Sequence, residues 1–386
     1  MTPNKSFDVI IIGSGSVGTP TAFFLAEAGI RTLVIDKFPS PGQGSNKSAI
    51  GGIRATHSDP AKIRLCLRSL DIISGWKDRK GDDLEWLKGG YSYVAYCEEE
   101  EKTLKNLLAV QQSFGLNISW LDAARIRETI PGINPDGLIG GTLSPDDGHA
   151  SPLLTVEAFY AHASRMGAVF HFNERATGLV TSGGKVRGVR TDKGEYGSDI
   201  VINAAGAWAS EVAGFAGIEV PVNPDQHEGA VTEAVARFME PMVVDIHPAP
   251  GSANYYFYQH ATGQVVFCIT PSPNQWGFDT RETSVFLPMV ARRMVGLIPR
   301  LENLRVRRTW RGLYPMTPDA FPIIGRIKEL DGYVLAVGMC GQGYMLGPGV
   351  GEMLVRLVRN QLTSPDEEVL AFVSPYRAFA GQEKLQ

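Results

Sequence analysis

Asp8-Val-Ile-Ile-Ile-Gly13-Ser-Gly15-Ser-Val-Gly18 decides the fold. A β-branched run enters a glycine turn. The Ala- and Phe-rich stretch Thr19 to Ala28 then suits a helix, and Thr32-Leu-Val-Ile-Asp36 repeats the buried-strand pattern with an acid at its end. Strand, glycine turn, helix, strand and acid make up the dinucleotide-binding βαβ unit. Gly13 permits the tight turn, Gly15 lets the backbone approach a pyrophosphate, and Gly18 lets helix and strand pack closely. Ser16 and Val17 open the helix, whose free N–H groups and positive dipole end favour phosphate. Asp36 stands about twenty residues further on, where a carboxylate can accept hydrogen bonds from a ribose, with Lys37 beside it.

The 386 residues suffice for two domains and a sizeable core. Hydrophobic residues make up 44% and charged residues 20%, the balance of an ordinary soluble enzyme. A net charge of −4 gives no basic footprint for nucleic acid. No apolar run reaches bilayer-spanning length. The opening Met1-Thr-Pro-Asn-Lys-Ser6 leads straight into the first strand and leaves no room for a signal peptide. The four cysteines, Cys66, Cys97, Cys268 and Cys340, are scattered, without metal-ligand spacing. They read as reduced thiols of a cytoplasmic protein, with no metal site.

Further along, residues 37–60 are rich in Gly, Ser, Pro and Asn and predict a long loop over the cofactor. Its polar groups Ser45, Lys47 and Ser48 are candidate cofactor contacts. Apolar positions Ile63, Leu67, Leu70 and Ile73 predict a helix over 61–79. Residues 89–98 read as a strand, 99–128 as largely helical, and 153–166 as a helix. Asp192-Lys-Gly194 suits a hairpin turn, and Asp199 to Trp208 is a buried strand ending in small residues. The tail returns to strand, glycine turn and helix: Tyr333 to Gly338, Gly341-Gln-Gly343, then 350–360. The nucleotide domain is therefore discontinuous, formed by 1–88, 145–220 and 306–386. The second domain takes 89–144 and 221–305.

Three more motifs narrow the fold: Asn203-Ala-Ala-Gly-Ala-Trp208, Thr317-Pro-Asp-Ala-Phe-Pro-Ile-Ile-Gly325 and Gly338-Met-Cys-Gly-Gln-Gly-Tyr-Met-Leu-Gly-Pro-Gly-Val-Gly351. With the first fingerprint, and with Asp146-Asp-Gly-His-Ala-Ser-Pro152, the chain resembles the D-amino-acid oxidase superfamily. It is most similar to the branch of sarcosine oxidases, glycine oxidase and dye-linked L-proline dehydrogenase β subunits. The resemblance implies an α/β fold. A Rossmann-like, glutathione-reductase-like FAD domain would carry a second α+β substrate domain on a mostly antiparallel sheet. It also implies cofactor contacts from Ala205, Gly206, Trp208 and Gly312, and from Gly341, Gln342, Gly343, Tyr344 and Met345. Residues 341–346 would hold the N1/O2 edge of the flavin, where backbone N–H groups and a helix dipole stabilise negative charge. Some relatives link FAD through a cysteine where this chain has Gly312 or Leu313, so FAD would be non-covalent. Leu153 stands where other relatives attach FMN to a histidine. An additional non-covalent FMN at a subunit interface, as in some proline dehydrogenases, stays open, as do homo- and hetero-oligomers.

The implied reaction is hydride transfer from the α-carbon of a small amino acid, a secondary amine such as proline or sarcosine being favoured. It runs to flavin N5 and gives an imine. A carboxylate anchor suits arginine, whose planar fork matches it bidentately. Arg54, in Ala49-Ile-Gly-Gly-Ile-Arg54, is the first candidate and Arg311 the second. Tyr314 stands where glycine oxidase carries an arginine and could donate to a carboxylate. Tyr256 and Tyr258 belong to a segment resembling the strand that faces the flavin, and are either substrate contacts or aromatic core. The lysine of sarcosine oxidases aligns with Phe267, which favours a dehydrogenase passing electrons to a dye or partner subunit over transfer to O2. Two other readings stay open: an FAD oxidoreductase of hydroxy acids or other non-amino-acid substrates, and a non-catalytic flavoprotein subunit.

Overall fold

The structure, a computed structural model, describes residues 6–381 and 383–385. The strand Val9–Ile12 lies inside a six-stranded sheet and is buried on both faces. It pairs in parallel with Thr32–Ile35 on one side and Val201–Asn203 on the other. Val169–His171 extends the sheet beyond Thr32–Ile35. Tyr333–Val337 extends it beyond Val201–Asn203, followed by the antiparallel Ile323–Arg326. Successive side chains of a strand point to opposite faces. Val9, Ile11 and Val34 accordingly pack against the helices Gly18–Glu27, Pro60–Ser74, Pro152–Arg165 and Gly343–Val358. Ile10, Ile12, Leu33 and Ile35 instead meet a three-stranded antiparallel sheet through Leu179, Val186 and Val189. Covering both faces is why the opening run is apolar without alternation.

A second sheet has eight strands. In spatial order they are Val306–Met316, Asn223–Ala234, Gln264–Pro271, Ser252–Gln259, Met242–Asp245, Tyr91–Ala95, Gly140–Ser144 and Ser119–Asp122. Every pairing is antiparallel except that of Met242–Asp245 with Tyr91–Ala95. The helix Phe286–Leu297 packs on one face, with Val94, Phe257 and Phe267. The expected mostly antiparallel second sheet is present.

Three local expectations change. The stretch 99–128 is not continuous helix, because Ser119–Asp122 adds an edge strand between Glu98–Ser113 and Ala123–Thr129. The last large helix starts at Gly343 rather than 350 and runs through Pro348. The expected boundary at 305/306 falls just before Val306–Met316. That strand is hydrogen-bonded along Asn223–Ala234, so it belongs with the second sheet. Among the described residues, no helix is long and apolar enough to cross a membrane.

Candidate functional site

A long cleft opens at the carboxyl ends of Val9–Ile12, Thr32–Ile35, Val201–Asn203 and Tyr333–Val337, where parallel sheets bind ligands. The glycines of the first turn have the separate jobs read from the sequence. Gly13 has φ +108°, and a Cβ there would come 2.5 Å from the Ala204 carbonyl oxygen. At Gly18 it would come 1.9 Å from the Gly13 oxygen, so helix and strand could not close. At Gly15 it would meet no protein atom within 4 Å, because that position faces the cleft. The Asp36 Oδ2 accepts from the Ser14 N–H and hydroxyl, both at 2.7 Å, and Oδ1 accepts from Phe38 N–H. Beside it the Lys37 ammonium lies 3.5 Å from the centre of the Trp208 ring.

The cleft gathers Gly13, Gly15, Ser16, Val17, Asp36 and Lys37 with Ala205, Gly206 and Trp208. At its other end it gathers Ser45, Ser48, Gly312, Gly341, Gly343, Tyr344 and Met345. Gly18, Lys47 and Gln342 do not line it. Ser45 donates to the Leu313 carbonyl at 2.7 Å, tying the long loop to the second sheet. Gly341, at φ +79°, lies so near Tyr314 that a Cβ would be 2.1 Å from its ring. The helix Gly343–Val358 starts at this turn, so its N–H groups and dipole end face the cleft. An acid at one end, open glycine backbone in the middle and two helix N-termini fit FAD.

A smaller cavity adjoins the far end of the cleft, and Tyr256, Tyr314, His227, Gly341 and Met345 line both. Arg54 is buried in its wall above Tyr91 and Tyr93, the guanidinium carbon lying 6.0 and 5.6 Å from their ring centres. Arg54 Nη1 donates to the Thr56 carbonyl and lies 3.1 Å from His57 Nδ1, and Nη2 donates to the Leu385 carbonyl. The Tyr256 and Tyr314 hydroxyls are 2.6 Å apart, and burial pushes both phenols up, so both stay protonated near neutrality. The Tyr314 ring stacks on His227 with centroids 3.7 Å apart.

His227 escaped the sequence reading. Its Nε2 lies 3.0 Å from Asp225 Oδ2, which also accepts from Asn274 Nδ2 at 2.7 Å. Asp225 Oδ1 accepts from Gln275 N–H at 2.6 Å. Against the penalty of burial, the hydrogen bond with His227 holds the Asp225 carboxyl below its ordinary range, so Nε2 carries the proton. His227 Nδ1 is then a lone-pair nitrogen, buried and without a hydrogen-bond partner. Burial lowers the imidazole pKa and outweighs the pull of Asp225. The signal was Asp225-Gln-His227: residues two apart on a strand share a face. Gln342 also lines the cavity, with its Oε1 buried and unpartnered.

Other candidates lie elsewhere. Arg311 lines neither cavity; its Nη2 donates to Gln275 Oε1 and its Nη1 to the Arg281 carbonyl, so it holds the loop beside His227. Tyr258 also lies outside both, its hydroxyl donating to the Ile50 carbonyl at 2.6 Å and its ring lying on His149. Phe267 packs in the core against Phe286, and its strand neighbour Cys268 takes the cleft-facing position. The expected alignment of Phe267 with the flavin therefore misses by one residue, which on a strand means the opposite face.

Behind Arg54 lies a buried polar cluster. Asp147 accepts from Ala55 N–H at 3.0 Å and Thr56 hydroxyl at 2.6 Å, and burial pushes its carboxyl up to about 6. Lys62, fully buried, donates to Glu383 Oε2 at 3.0 Å and to the Ala320 carbonyl at 2.8 Å. His57 Nε2 is 3.2 Å from Cys66 Sγ.

Residues 8–357 match the family model described as FAD dependent oxidoreductase (DAO). The chain is 26% identical over 402 residues to the hydrogen cyanide synthase subunit HcnC of Pseudomonas aeruginosa, covering 93% of this chain and 94% of that one. It is 26% identical over 368 residues to the glycine oxidase of Geobacillus kaustophilus, covering 93% and 95%. Among solved structures, the L-proline dehydrogenase from P. horikoshii superposes with a TM-score of 0.89 at 31% identity, covering 97% of this chain and 98% of that one.

Proposed function

The chain belongs to the FAD dependent oxidoreductase family, and from that premise we propose that it oxidises a small amino acid, favouring secondary amines such as proline or sarcosine, to the imine. The observation that carries this reading is one buried arginine, Arg54, in a tyrosine-lined cavity that opens onto the glycine cradle. The names of the similar enzymes, glycine oxidase and L-proline dehydrogenase, support the substrate class. Bound FAD supplies the two-electron acceptor, held by Gly13, Gly15, Asp36, Gly206, Gly312 and Gly341.

The chain's own groups bind, orient and deprotonate. Arg54 takes the substrate carboxylate through a charge-assisted hydrogen bond, strengthened by the burial of its guanidinium. An α-amino acid arrives as an ammonium, which has no lone pair to assist loss of the α-hydrogen. His227 Nδ1 is a neutral base in reach of the cavity and takes a proton from that ammonium, leaving the amine lone pair free, while Asp225 fixes the tautomer and steadies the resulting imidazolium. Gln342 Oε1 accepts a hydrogen bond from the amine, and the Tyr256–Tyr314 pair sets the orientation. No lysine lines the substrate cavity among the described residues, and a partner or dye is the favoured electron acceptor. The resemblance to an enzyme named as a subunit is in keeping with that.

The test is anaerobic bleaching of the yellow holoenzyme by sarcosine, glycine and both hands of proline. Bleaching by sarcosine or a proline is expected. FAD-loaded protein that stays yellow with every amino acid offered would reject the reading.

A further inference from the structure

Residues 374–381 are exposed or half-buried, yet Glu383 and Leu385 that follow are buried, with Lys384 exposed between them. The chain bends at Lys384, and Leu385 N–H donates back to Glu383 Oε1 at 3.0 Å, so both buried side chains turn into the protein together. Glu383 Oε1 accepts from Ser58 N–H at 3.1 Å and from its hydroxyl at 2.5 Å, while Oε2 faces Lys62. Leu385 is 1% exposed and packs with Tyr91, Tyr93 and Val244, each of which also lines the substrate cavity. Its carbonyl accepts from Arg54 Nη2.

We propose that Glu383–Leu385 is the rear wall of the substrate cavity, positioning Arg54 and limiting the substrate to amino acids with small side chains. It rests on the amino-acid reading above. Leu385 stands behind Tyr91 and Tyr93, so the rings cannot swing away from the cavity to admit a larger side chain. Its carbonyl fixes one end of the guanidinium and leaves the remaining donors for a carboxylate. Glu383 keeps the segment seated, because withdrawing it would strip the buried Lys62 ammonium of its hydrogen-bonded carboxylate. Against the cost of burial, Lys62 and then His57 hold the Glu383 carboxyl well below its usual range, so it faces Lys62 as a carboxylate. The approach is anchored in turn, Arg377 donating to both Asp319 carboxylate oxygens and to the Phe321 carbonyl, so the segment reaches the cavity from a fixed base.

The test compares Glu383→Ala and Leu385→Ala with wild type and with Lys384→Ala, all as FAD-loaded holoenzyme. The readout is the anaerobic bleaching rate with N-methylphenylalanine, both hands, divided by that with sarcosine. The ratio rises at least tenfold in Glu383→Ala and Leu385→Ala, with unchanged FAD content, and stays at the wild-type value in Lys384→Ala. An unchanged ratio in both wall variants overturns the proposal. If no amino acid bleaches any of the four proteins, the amino-acid reading has failed, and alkylation of Cys66 decides the wall separately. Cys66 is buried behind Arg54 and His57. Iodoacetamide labelling of its peptide at least tenfold faster in Glu383→Ala than in wild type supports the wall, and equal labelling rejects it.

Discussion

The cofactor cleft and the substrate cavity share a wall yet are built on opposite principles. The cleft is made by leaving side chains out: Gly13 brings backbone against backbone, Gly15 opens it to the ligand, and Gly312 and Gly341 make room for the Ser48 side chain and the Tyr314 ring. The cavity is made by crowding side chains in: Arg54, Tyr91, Tyr93, His227 and Tyr314 are all buried or half-buried and held by one another. A surface of backbone serves any molecule with the same phosphates, whereas a surface of side chains serves one chemistry. Changes in the cleft should therefore end folding and cofactor binding together, and changes in the cavity should alter catalysis while the protein stays yellow.

The largest effect expected is from Gly13→Val. A β-branched residue at φ +108°, with its Cβ 2.5 Å from the Ala204 oxygen, should cost about 3 kcal/mol or more, with loss of bound FAD. Differential scanning calorimetry and the visible spectrum read both, and a stable yellow variant would break the contrast between the two regions.

On the cavity side, Arg54→Met should keep FAD stoichiometric but lower kcat/KM by roughly 30- to 5,000-fold. That follows from about 2–5 kcal/mol for a buried charged partner. Steady-state kinetics with a dye acceptor decide it, and an unchanged kcat/KM would remove Arg54 from the site.

His227→Asn should have a smaller effect, about 10- to 100-fold on kcat/KM near neutrality. Its signature is the pH profile. Neutral His227 is the active form, so in wild type activity falls as pH drops through a pKa below the ordinary 6.5. In the variant that limb should be replaced by one at the much higher pKa of the substrate ammonium. A limb that stays in place would show that another group takes the proton.

The smallest effect is on stability. Asp147 is raised to about 6 in the folded chain. Its contribution is fully present below about pH 4, the unfolded value, and is lost as pH rises through 6. Asp147→Asn should therefore flatten the stability profile between pH 4 and 6 by about 1–3 kcal/mol relative to wild type, as read by urea unfolding at a series of pH values.

The same contrast explains what could be read from the sequence. Backbone approach demands glycine, and glycine spacing is visible in one dimension, so the turn at Gly13 to Gly18 and its partner near Gly341 were found directly. The later glycines of that motif do a different job. Gly347, Gly349 and Gly351 do not face a ligand; a Cβ at Gly347 would come 1.8 Å from the Ser16 oxygen, and one at Gly349 would come 2.3 Å from that of Leu65. They are small because three helices meet there. The cavity depends on strand parity and on partners far apart in the chain. Arg54 was found because its neighbours resemble a family motif. Tyr258 shares a face with Tyr256 but sits two residues further along, outside both cavities, Phe267 packs in the core, and His227 became visible only with Asp225 and Tyr314 around it. The grip of Leu385 on Arg54 spans 331 residues and leaves no local pattern.

The contact of Gly347 with Ser16 has a consequence for how the protein is made. The first turn and the helix that packs against it stand more than 300 residues apart in the chain, so the one leaves the ribosome well before the other. At roughly 5–20 residues per second, about 15 to 70 seconds separate the two. Throughout that interval the nascent phosphate-binding loop lacks its closing neighbour. Closure of the cofactor cradle therefore waits for that helix, and FAD offered before it is made would meet an incomplete site.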